Sequence, residues 1–145
     1  MESLSSPPGL WATRQFAVVD PPIAVLIVDD DEALSIALSA AFAAYGFRAF
    51  AADDGPAAFR TPQAWSPHVV VLDIEMADCD GFCVAEAMRG SNRFATVPII
   101  AHTSLAETEI IERGKAVEID AFYRKGASLP GLLRMIEHLA PARTS

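Results

Sequence analysis

Short apolar runs alternate with amphipathic stretches along most of this chain. The first run, Ala24–Val28, is wholly apolar, and comparable runs follow at Phe47–Ala51, Val69–Leu72, Pro98–Thr103 and Ala121–Tyr123. Apolar runs of this length, with no polar alternation, are typical of parallel strands that are covered on both faces. The pattern therefore predicts a sheet of five parallel strands.

The segments between these runs repeat apolar residues at helical spacing. In the first segment an apolar stripe is formed by Leu34, Leu38, Ala41 and Tyr45. We predict helices over Ala33–Tyr45, Pro56–Gln63, Gly81–Arg89, Glu107–Val117 and Leu129–Leu139. Strands that alternate with helices favour an α/β three-layer sandwich, in which helices cover both faces of a parallel sheet.

Chemically reactive residues lie at the ends of four predicted strands. Asp29 and Asp30 follow the first strand, Asp73 follows the third, Thr103 ends the fourth, and Lys125 comes shortly after the fifth. The carboxyl ends of parallel strands line up along one edge, where open α/β folds bind ligands. Clustered carboxylates bind hard divalent cations such as Mg²⁺. Together with a hydroxyl and an ammonium group, they indicate a phosphoryl site with Asp73 as the acceptor.

Each of these residues, taken alone, also has an ordinary structural interpretation. An acidic triplet before a helix commonly caps that helix, and an aspartate after a strand commonly forms a turn. A threonine–serine pair after a strand commonly begins a loop. The combination, in this order and at strand ends, favours the phosphoryl site.

Composition narrows the class of protein further. The 145 residues suit one domain with a sizeable core. The net charge of −8 and the absence of a basic run argue against direct binding of nucleic acid. No apolar stretch approaches the ~20 residues that span a bilayer, and the N-terminus lacks the features of a signal peptide. We expect a cytoplasmic protein without membrane contact, in which Cys79 and Cys83 are reduced and bind no metal.

The chain divides into one domain and two terminal segments. Residues 1–22 contain four of the ten prolines and are expected to form an N-terminal extension that is mobile for most of its length. Residues 23–140 are predicted to be the domain, and 141–145 a C-terminal tail. The large apolar side chains of the extension, which can dock on the domain or on a partner, are Leu10, Trp11 and Phe16.

The strand-end residues and their neighbours resemble the receiver domain of two-component response regulators. The matching stretches, from about Ile23 to Leu139, are IVDDDE, VVVLDIEMADCDGF, IIAHTS and AFYRKG, in order and at approximately the expected spacing. The resemblance implies the flavodoxin-like (CheY-like) fold, a five-stranded parallel sheet of order 2-1-3-4-5 with five helices. It implies a signalling module rather than an enzyme.

The resemblance also implies a site. Asp73 would be the phosphoacceptor and would take its phosphoryl group from the phosphohistidine of a sensor histidine kinase or a histidine phosphotransfer protein. Mg²⁺ would be held by Asp29, Asp30, Asp73 and the backbone carbonyl of Glu75.

A switch is implied as well. Thr103 would be the switch hydroxyl, Lys125 the phosphate-pairing lysine and Phe122 the aromatic switch residue. Phosphorylation would then reshape the face made by the fourth helix, the fifth strand and the fifth helix, which would contact a downstream protein or form a dimer. The charged residues assigned to this face, of both signs, are Glu107, Glu109, Glu112, Arg113, Lys115, Asp120, Arg124 and Arg134.

The chain departs from the family's pattern near the switch. Gly126 follows Lys125 where the family usually has proline, often after a cis peptide bond, and Ala77 replaces another usual proline. A cis bond before a residue other than proline costs ~2.5–4 kcal/mol, so we predict a trans bond before Gly126. Tyr123 is one residue away from Phe122 and is expected on the opposite face of the strand.

Other classes remain open at this point. A degenerate receiver would bind partners without phosphate, although the complete set of site residues argues against it. An aspartate-nucleophile phosphatase would use Glu75, two residues after Asp73, as a general acid, but no substrate-binding insertion is recognisable. A flavodoxin-like electron carrier is disfavoured because no hydroxyl-rich loop follows the first strand. Both a stand-alone receiver and part of a longer regulator fit the sequence.

Overall fold

A computed structural model describes residues 6–62 and 65–144 of the chain. Strands and helices alternate in the order β1 (Ala24–Val28), α1 (Glu32–Tyr45), β2 (Arg48–Ala52), α2 (Gly55–Phe59), β3 (Val69–Asp73), α3 (Gly81–Arg89), β4 (Ile99–Thr103), α4 (Glu107–Ala116), β5 (Ala121–Arg124) and α5 (Leu129–Leu139). Within the described residues, none of these helices has the length and apolarity needed to cross a membrane.

The strands form one parallel sheet of order β2-β1-β3-β4-β5, as predicted. Side chains alternate between its two faces because successive residues of a strand point in opposite directions. In β1, Val25 and Ile27 pack into the core shared with α1 and α5. Leu26 and Val28 pack into the core shared with α2, α3 and α4. The alternation produces the three layers and leaves the strand ends as the accessible part of the sheet.

The second helix is shorter than predicted. It covers Gly55–Phe59, whereas the sequence pattern indicated Pro56–Gln63; Gln63 lies outside the described residues. Asp54 begins the helix by accepting a hydrogen bond from the backbone N–H of Ala57 at 2.8 Å. Pro62 explains the early end, because proline disfavours helical conformation in the residue before it.

The apolar stripe of α1 is also shifted from its predicted position. Phe42, which was not included in the stripe, is fully buried between the sheet and α5. Tyr45, which was included, is 49% exposed. Its ring lies edge-on to Phe47, and its hydroxyl donates to Glu137 at the surface. A residue with a polar end therefore takes the rim of the core, and the wholly apolar ring takes the centre.

The described part of the N-terminal extension, residues 6–22, contacts the domain, although we expected the extension to be mobile for most of its length. Leu10 forms an antiparallel bridge with Ala121, and Val19 a parallel bridge with Ala142. Leu10 and Phe16 pack against the α1–α5 core, and Trp11 against the core on the other face. Burial of these side chains favours docking over solvation.

The two cysteines correct another expectation. Cys79 and Cys83 form a disulfide, with 5.4 Å between their Cα atoms, so the prediction of reduced thiols is wrong for this structure. The bond joins the β3–α3 loop to the first turn of α3. Residues four apart at the start of a helix are close enough to form a disulfide, so the sequence spacing alone already allowed this pairing.

Candidate functional site

The ends of β1, β3 and β5 bring three of the predicted side chains together. β1 and β3 are adjacent and in parallel register, so Asp29 and Asp73 lie side by side at the carboxyl edge of the sheet. The backbone N–H of Lys125 donates to the carbonyl of Thr103 at 2.8 Å, which holds the start of the β5–α5 loop at the same edge. The sheet topology therefore positions residues that are far apart in the sequence.

Three carboxylates form a cluster at this edge. Asp29, Asp30 and Asp73 each offer an oxygen atom, and these atoms all lie within 4.8 Å of one another. Asp29 and Asp73 are each only 3% exposed, whereas Asp30 faces solvent. Hard carboxylate oxygens with one open side are the donors that Mg²⁺ prefers, since this ion retains waters and takes few protein carboxylates. The donor set therefore fits Mg²⁺.

Backbone N–H groups orient the two buried carboxylates. Asp29 accepts from the N–H of Asp31 at 2.8 Å, and Asp73 accepts from the N–H of Glu75 at 3.1 Å. Gly81 lets α3 begin close to this turn: a Cβ there would lie 2.5 Å from the carbonyl oxygen of Asp73. The loop that follows Asp73 is therefore held by short-range contacts that leave no space for a side chain at Gly81.

Lys125 links the two buried carboxylates. Its Nζ lies 3.1 Å from Asp29 Oδ2 and 3.1 Å from Asp73 Oδ1. Burial lowers the pKa of Lys125, but hydrogen bonds and attraction to Asp29 and Asp73 outweigh that effect and raise the pKa above its usual value. The ammonium group therefore stays charged and is positioned to neutralise any further negative charge at Asp73.

The carboxylates repel each other despite this lysine. Burial, followed by the negative charge of Asp29, raises the pKa of Asp73 to about 6, although Lys125 and the N–H of Glu75 act in the opposite direction. The ionised form of Asp73 is thus costly without a further cation. A divalent cation would relieve this cost, in keeping with the donor set.

Thr103 lies at the same edge but contacts Glu75 rather than Asp73. Its hydroxyl donates to Glu75 Oε1 at 3.4 Å and accepts from the backbone N–H of Leu105 at 3.1 Å. Ser104 also donates to Glu75 Oε1, at 3.1 Å. The Glu75 carboxylate therefore accepts the hydrogen bond from the Thr103 hydroxyl that, in a phosphorylated site, a phosphoryl oxygen would accept.

Phe122 lies away from the acidic cluster, on the same face of the sheet as Ala101. It is partly buried and stacks on Trp11, with ring centroids 6.3 Å apart and planes inclined by 9°. Tyr123 belongs to the opposite core, as predicted. The bond before Gly126 is also trans, as predicted: the cis peptide bond found among the described residues is Pro21–Pro22.

Sequence reasoning missed His102, the residue of β4 opposite Asp73. It is 5% exposed, and its Nδ1 has no hydrogen-bond partner among the described residues. Burial, followed by the positive charge of Lys125, lowers its pKa to about 4, so the ring is neutral at physiological pH. The available signal was a histidine inside β4, preceding the Thr103 that ends the strand.

Comparison with known proteins agrees with this geometry. The family model for the response regulator receiver domain matches residues 25–137. The transcriptional regulatory protein RprY of Bacteroides fragilis is 31% identical over 119 residues, which cover 82% of this chain and 50% of RprY. The regulatory protein AtoC of Escherichia coli is 29% identical over 131 residues, which cover 81% of this chain and 28% of AtoC. The chain thus spans half or less of the length of these relatives.

Solved structures show the same fold. The chemotaxis protein CheY4 of Vibrio cholerae superposes with a TM-score of 0.76 at 26% identity, covering 81% of this chain and 98% of that chain. The receiver domain of the Francisella response regulator 1452 gives 0.72 at 26% identity, covering 81% and 95%. The chain belongs to the response regulator receiver domain family, and it is a receiver domain of two-component signal transduction. Receiver domains are signalling domains, and the Asp29–Asp30–Asp73 cluster fits their phosphorylation site.

Proposed function

We propose that Asp73 accepts a phosphoryl group from the phosphohistidine of a sensor histidine kinase or a histidine phosphotransfer protein. The observation that carries this proposal is the position of Lys125 Nζ, 3.1 Å from both Asp29 and Asp73 at the carboxyl edge of the sheet. A structural ion pair needs one carboxylate per lysine. Here two buried carboxylates share a single ammonium group, and a third, exposed carboxylate lies within 4.8 Å of them, as a site that receives more charge requires.

The transfer is a displacement at phosphorus. A carboxylate oxygen of Asp73 forms a bond to phosphorus, the phosphorus–nitrogen bond of the donor breaks, and its electron pair stays on the imidazole nitrogen. An ionised carboxylate is already nucleophilic, so no general base is required. The chain's contribution is to position the acceptor and stabilise charge, and the N–H of Glu75 already fixes the orientation of Asp73.

Lys125 and Thr103 stabilise the phosphorylated form of Asp73. Lys125 pairs with a phosphoryl oxygen, to which it presents a compact charge on a flexible stem. Thr103 exchanges its 3.4 Å contact with Glu75 for a hydrogen bond to another phosphoryl oxygen. Because the present contact with Glu75 is weak, breaking it costs little free energy. Phe122 then moves toward the space that Thr103 leaves, which changes the surface of α4, β5 and α5.

Mg²⁺ would be held by Asp29, Asp30, Asp73 and the backbone carbonyl of Glu75. When bound, the ion would supply positive charge at the reacting centre. Asp29 and Asp73 are arranged for this by their backbone hydrogen bonds, and the exposed Asp30 completes the carboxylate set.

The output is a contact with a downstream protein, made by the face of α4, β5 and α5, which can also form a dimer. The receiver unit spans residues 23–140. Receiver domains are typically cytoplasmic, and we place this chain in the cytoplasm.

Incubation with acetyl phosphate and Mg²⁺ is expected to add one phosphoryl group, detected as a single adduct by intact mass spectrometry. Hydroxylamine, which cleaves acyl phosphates, should remove the adduct, and a matched sample with excess EDTA should not form it. A protein that stays unmodified under all conditions, and that binds no Mg²⁺, would instead be a receiver that acts without phosphate. An adduct that resists hydroxylamine would place the modification on a residue other than an aspartate.

Affinity for Mg²⁺ is expected to fall on acidification. The pKa of Asp73 is raised to about 6 before the ion binds, so the ion and a proton compete for that carboxylate. Below this pH the affinity should decrease by up to about tenfold per pH unit, and above it the affinity should level off. Isothermal titration calorimetry between about pH 5 and pH 8 measures the profile. Replacement of the exposed Asp53 by asparagine is the control and should leave the profile unchanged, whereas a flat profile for the wild type would contradict the assignment.

A further inference from the structure

Part of the N-terminal segment covers the β5 edge of the sheet. β5 is an edge strand, and residues 7–14, hereafter the arm, lie along its outer side. The backbone N–H of Phe122 donates to the carbonyl of Gly9 at 2.8 Å, and the N–H groups of Trp11 and Ala12 donate to the carbonyl of Asp120 at 2.8 and 2.9 Å. An extended segment that pairs with an exposed strand edge is a recurrent mode of peptide recognition. Here the segment belongs to the same chain.

Trp11 anchors the arm to both β5 and α4. Its indole stacks on Phe122, and its Nε1 donates to Glu107 Oε2 at 2.7 Å. The ring also lies directly over Gly114, where an added Cβ would be 2.5 Å from Cζ3 of the indole. The glycine thus forms the floor of the indole site, and the arm covers the central part of the α4–β5 surface.

Arg14 fastens the other end of the arm. Its Nε lies 2.9 Å from Asp120 Oδ1, and its guanidinium also donates to the carbonyl of Thr96 at 3.3 Å. The Asp120 side chain is 4% exposed, so this ion pair is anchored in the domain rather than at a mobile surface group. Backbone pairing, an indole site and an ion pair together distinguish the arm from a segment that lies loosely on the surface.

The arm is also placed to sense the state of the site. Phe122 pairs with Ala101, two residues before Thr103 in β4. Because side chains alternate along a strand, Thr103 and Phe122 lie on the same face of the sheet, at diagonal positions on neighbouring strands. A change in the position of Thr103 therefore alters the space beside the ring on which Trp11 stacks.

We propose that the arm is a built-in occupant of the α4–β5 surface that phosphorylation displaces. The proposal rests on the function assigned to Asp73, Thr103 and Phe122 above. In the unphosphorylated domain, Phe122 lies outward and supports Trp11; when Phe122 turns inward, the indole loses its stacking partner and the arm dissociates. The edge of β5 and the floor at Gly114 then become available to a downstream protein.

The coupling is reciprocal. A contact formed only in the unphosphorylated arrangement must oppose the phosphorylated one by the same free energy. Loss of the indole contact should therefore strengthen the binding of a phosphoryl analogue such as beryllofluoride, measured with Mg²⁺, by about two- to tenfold, the range expected for one aromatic pair.

Gly114→Ala is the variant that tests the docking. Alanine favours the helical conformation of α4, so the fold is retained, while its Cβ displaces the indole. Gly90→Ala is the matched control, because its Cβ would lie 3.7 Å from the nearest neighbour, the carbonyl oxygen of Ala87, and its φ of −83° suits alanine. Hydrogen exchange by NMR should show the Phe122 amide protected in the wild type and in Gly90→Ala, and protection reduced roughly tenfold or more in Gly114→Ala. An unprotected Phe122 amide in the wild type would overturn the proposal.

The coupling is tested in the same samples with excess acetyl phosphate and Mg²⁺, while intact mass reports the adduct. We expect the Phe122 amide to lose protection as the adduct forms. An adduct with unchanged protection would overturn the coupling and leave the phosphoacceptor function intact. Failure to form the adduct would overturn both. Protection that is lost on dilution, with a dimeric mass by light scattering, would show that the arm binds a second copy, and it too would overturn the proposal.

Discussion

Replacing Asp73 by asparagine is expected to abolish the phosphoryl adduct completely and to stabilise the domain at neutral pH without Mg²⁺. The amide has nearly the shape of the carboxylate, but it is not a nucleophile at phosphorus. It also removes one of two neighbouring negative charges. Burial and the charge of Asp29 raise the pKa of Asp73 to about 6, which means that folding disfavours its ionised form. Lys125 retains Asp29 as an ion-pair partner at 3.1 Å.

The sign of the pH dependence follows from this shift. A carboxyl group whose pKa is about 6 in the folded state and near 4 in the unfolded state binds its proton more tightly when folded. Its contribution to stability is therefore fully present below about pH 4 and is lost as the pH rises through about 6. The wild type should lose about 2 kcal/mol of its free energy of unfolding across that interval relative to Asp73→Asn.

Urea denaturation at about pH 4 and pH 7.5, with Mg²⁺ removed, measures the difference, and intact mass measures the adduct. Asp53→Asn, which changes an exposed carboxylate in the same surface cavity as Asp29 and Asp30, is the control for both. It should form the adduct and show the pH dependence of the wild type. Full adduct formation by Asp73→Asn would move the acceptor to another residue, and a less stable variant at neutral pH would contradict the electrostatic account.

Much of the site was predictable because a parallel sheet converts sequence order into spatial order. A buried strand must end before a polar side chain can be solvated, so the residues after β1 and β3 could be assigned to one edge without knowing the packing. Asp29, Asp73 and Lys125 meet there for that reason. Strand order came from the motifs and their resemblance to a family, because apolar runs alone do not distinguish one neighbour from another.

The arm was not predictable in the same way. Its contacts involve single residues, such as Trp11 over Gly114 and Gly9 beside Phe122, and a single contact produces no periodic pattern. The prolines of the extension led us to expect a mobile segment, in which Leu10, Trp11 and Phe16 could dock on the domain or on a partner. The sequence therefore identified side chains that could dock without revealing the surface that they cover.

Asp120 shows why residue type can mislead. The sequence analysis assigned this charged residue, just before a short strand, to the exposed face of α4, β5 and α5, yet its side chain is 4% exposed. It lies between two arginines and also accepts a hydrogen bond from the backbone N–H of Ile99 at 2.9 Å. Pattern analysis places a charge on the surface by default, because its partners are far away in the sequence: Arg14 comes from the arm and Arg89 from α3.

Replacing Asp120 by alanine is expected to produce the largest loss of stability among the substitutions considered, about 3–5 kcal/mol. Arg89 would remain with its guanidinium largely buried and without its carboxylate partner, which now lies 3.0 Å away. Burial already lowers the pKa of Arg89, and the charge of Asp120 counteracts that effect. The N–H of Ile99 would lose its acceptor as well. Removing one partner of a buried pair costs more than the pair contributes, because an uncompensated charge stays behind.

Chemical denaturation of three further variants separates the buried charge from the arm. Arg14→Ala removes only the 41% exposed partner and should cost about 0–1 kcal/mol. Asp20→Ala breaks the exposed pair with Arg143 and should change stability by no more than a few tenths of a kcal/mol. Asp120→Asn keeps an acceptor for Ile99 but no charge for Arg89, so it should fall between Arg14→Ala and Asp120→Ala. Equal losses of stability for Asp120→Ala and Arg14→Ala would mean that Asp120 stabilises only the docked arm. The stability of β5 would then not depend on the ion pair between Asp120 and Arg89.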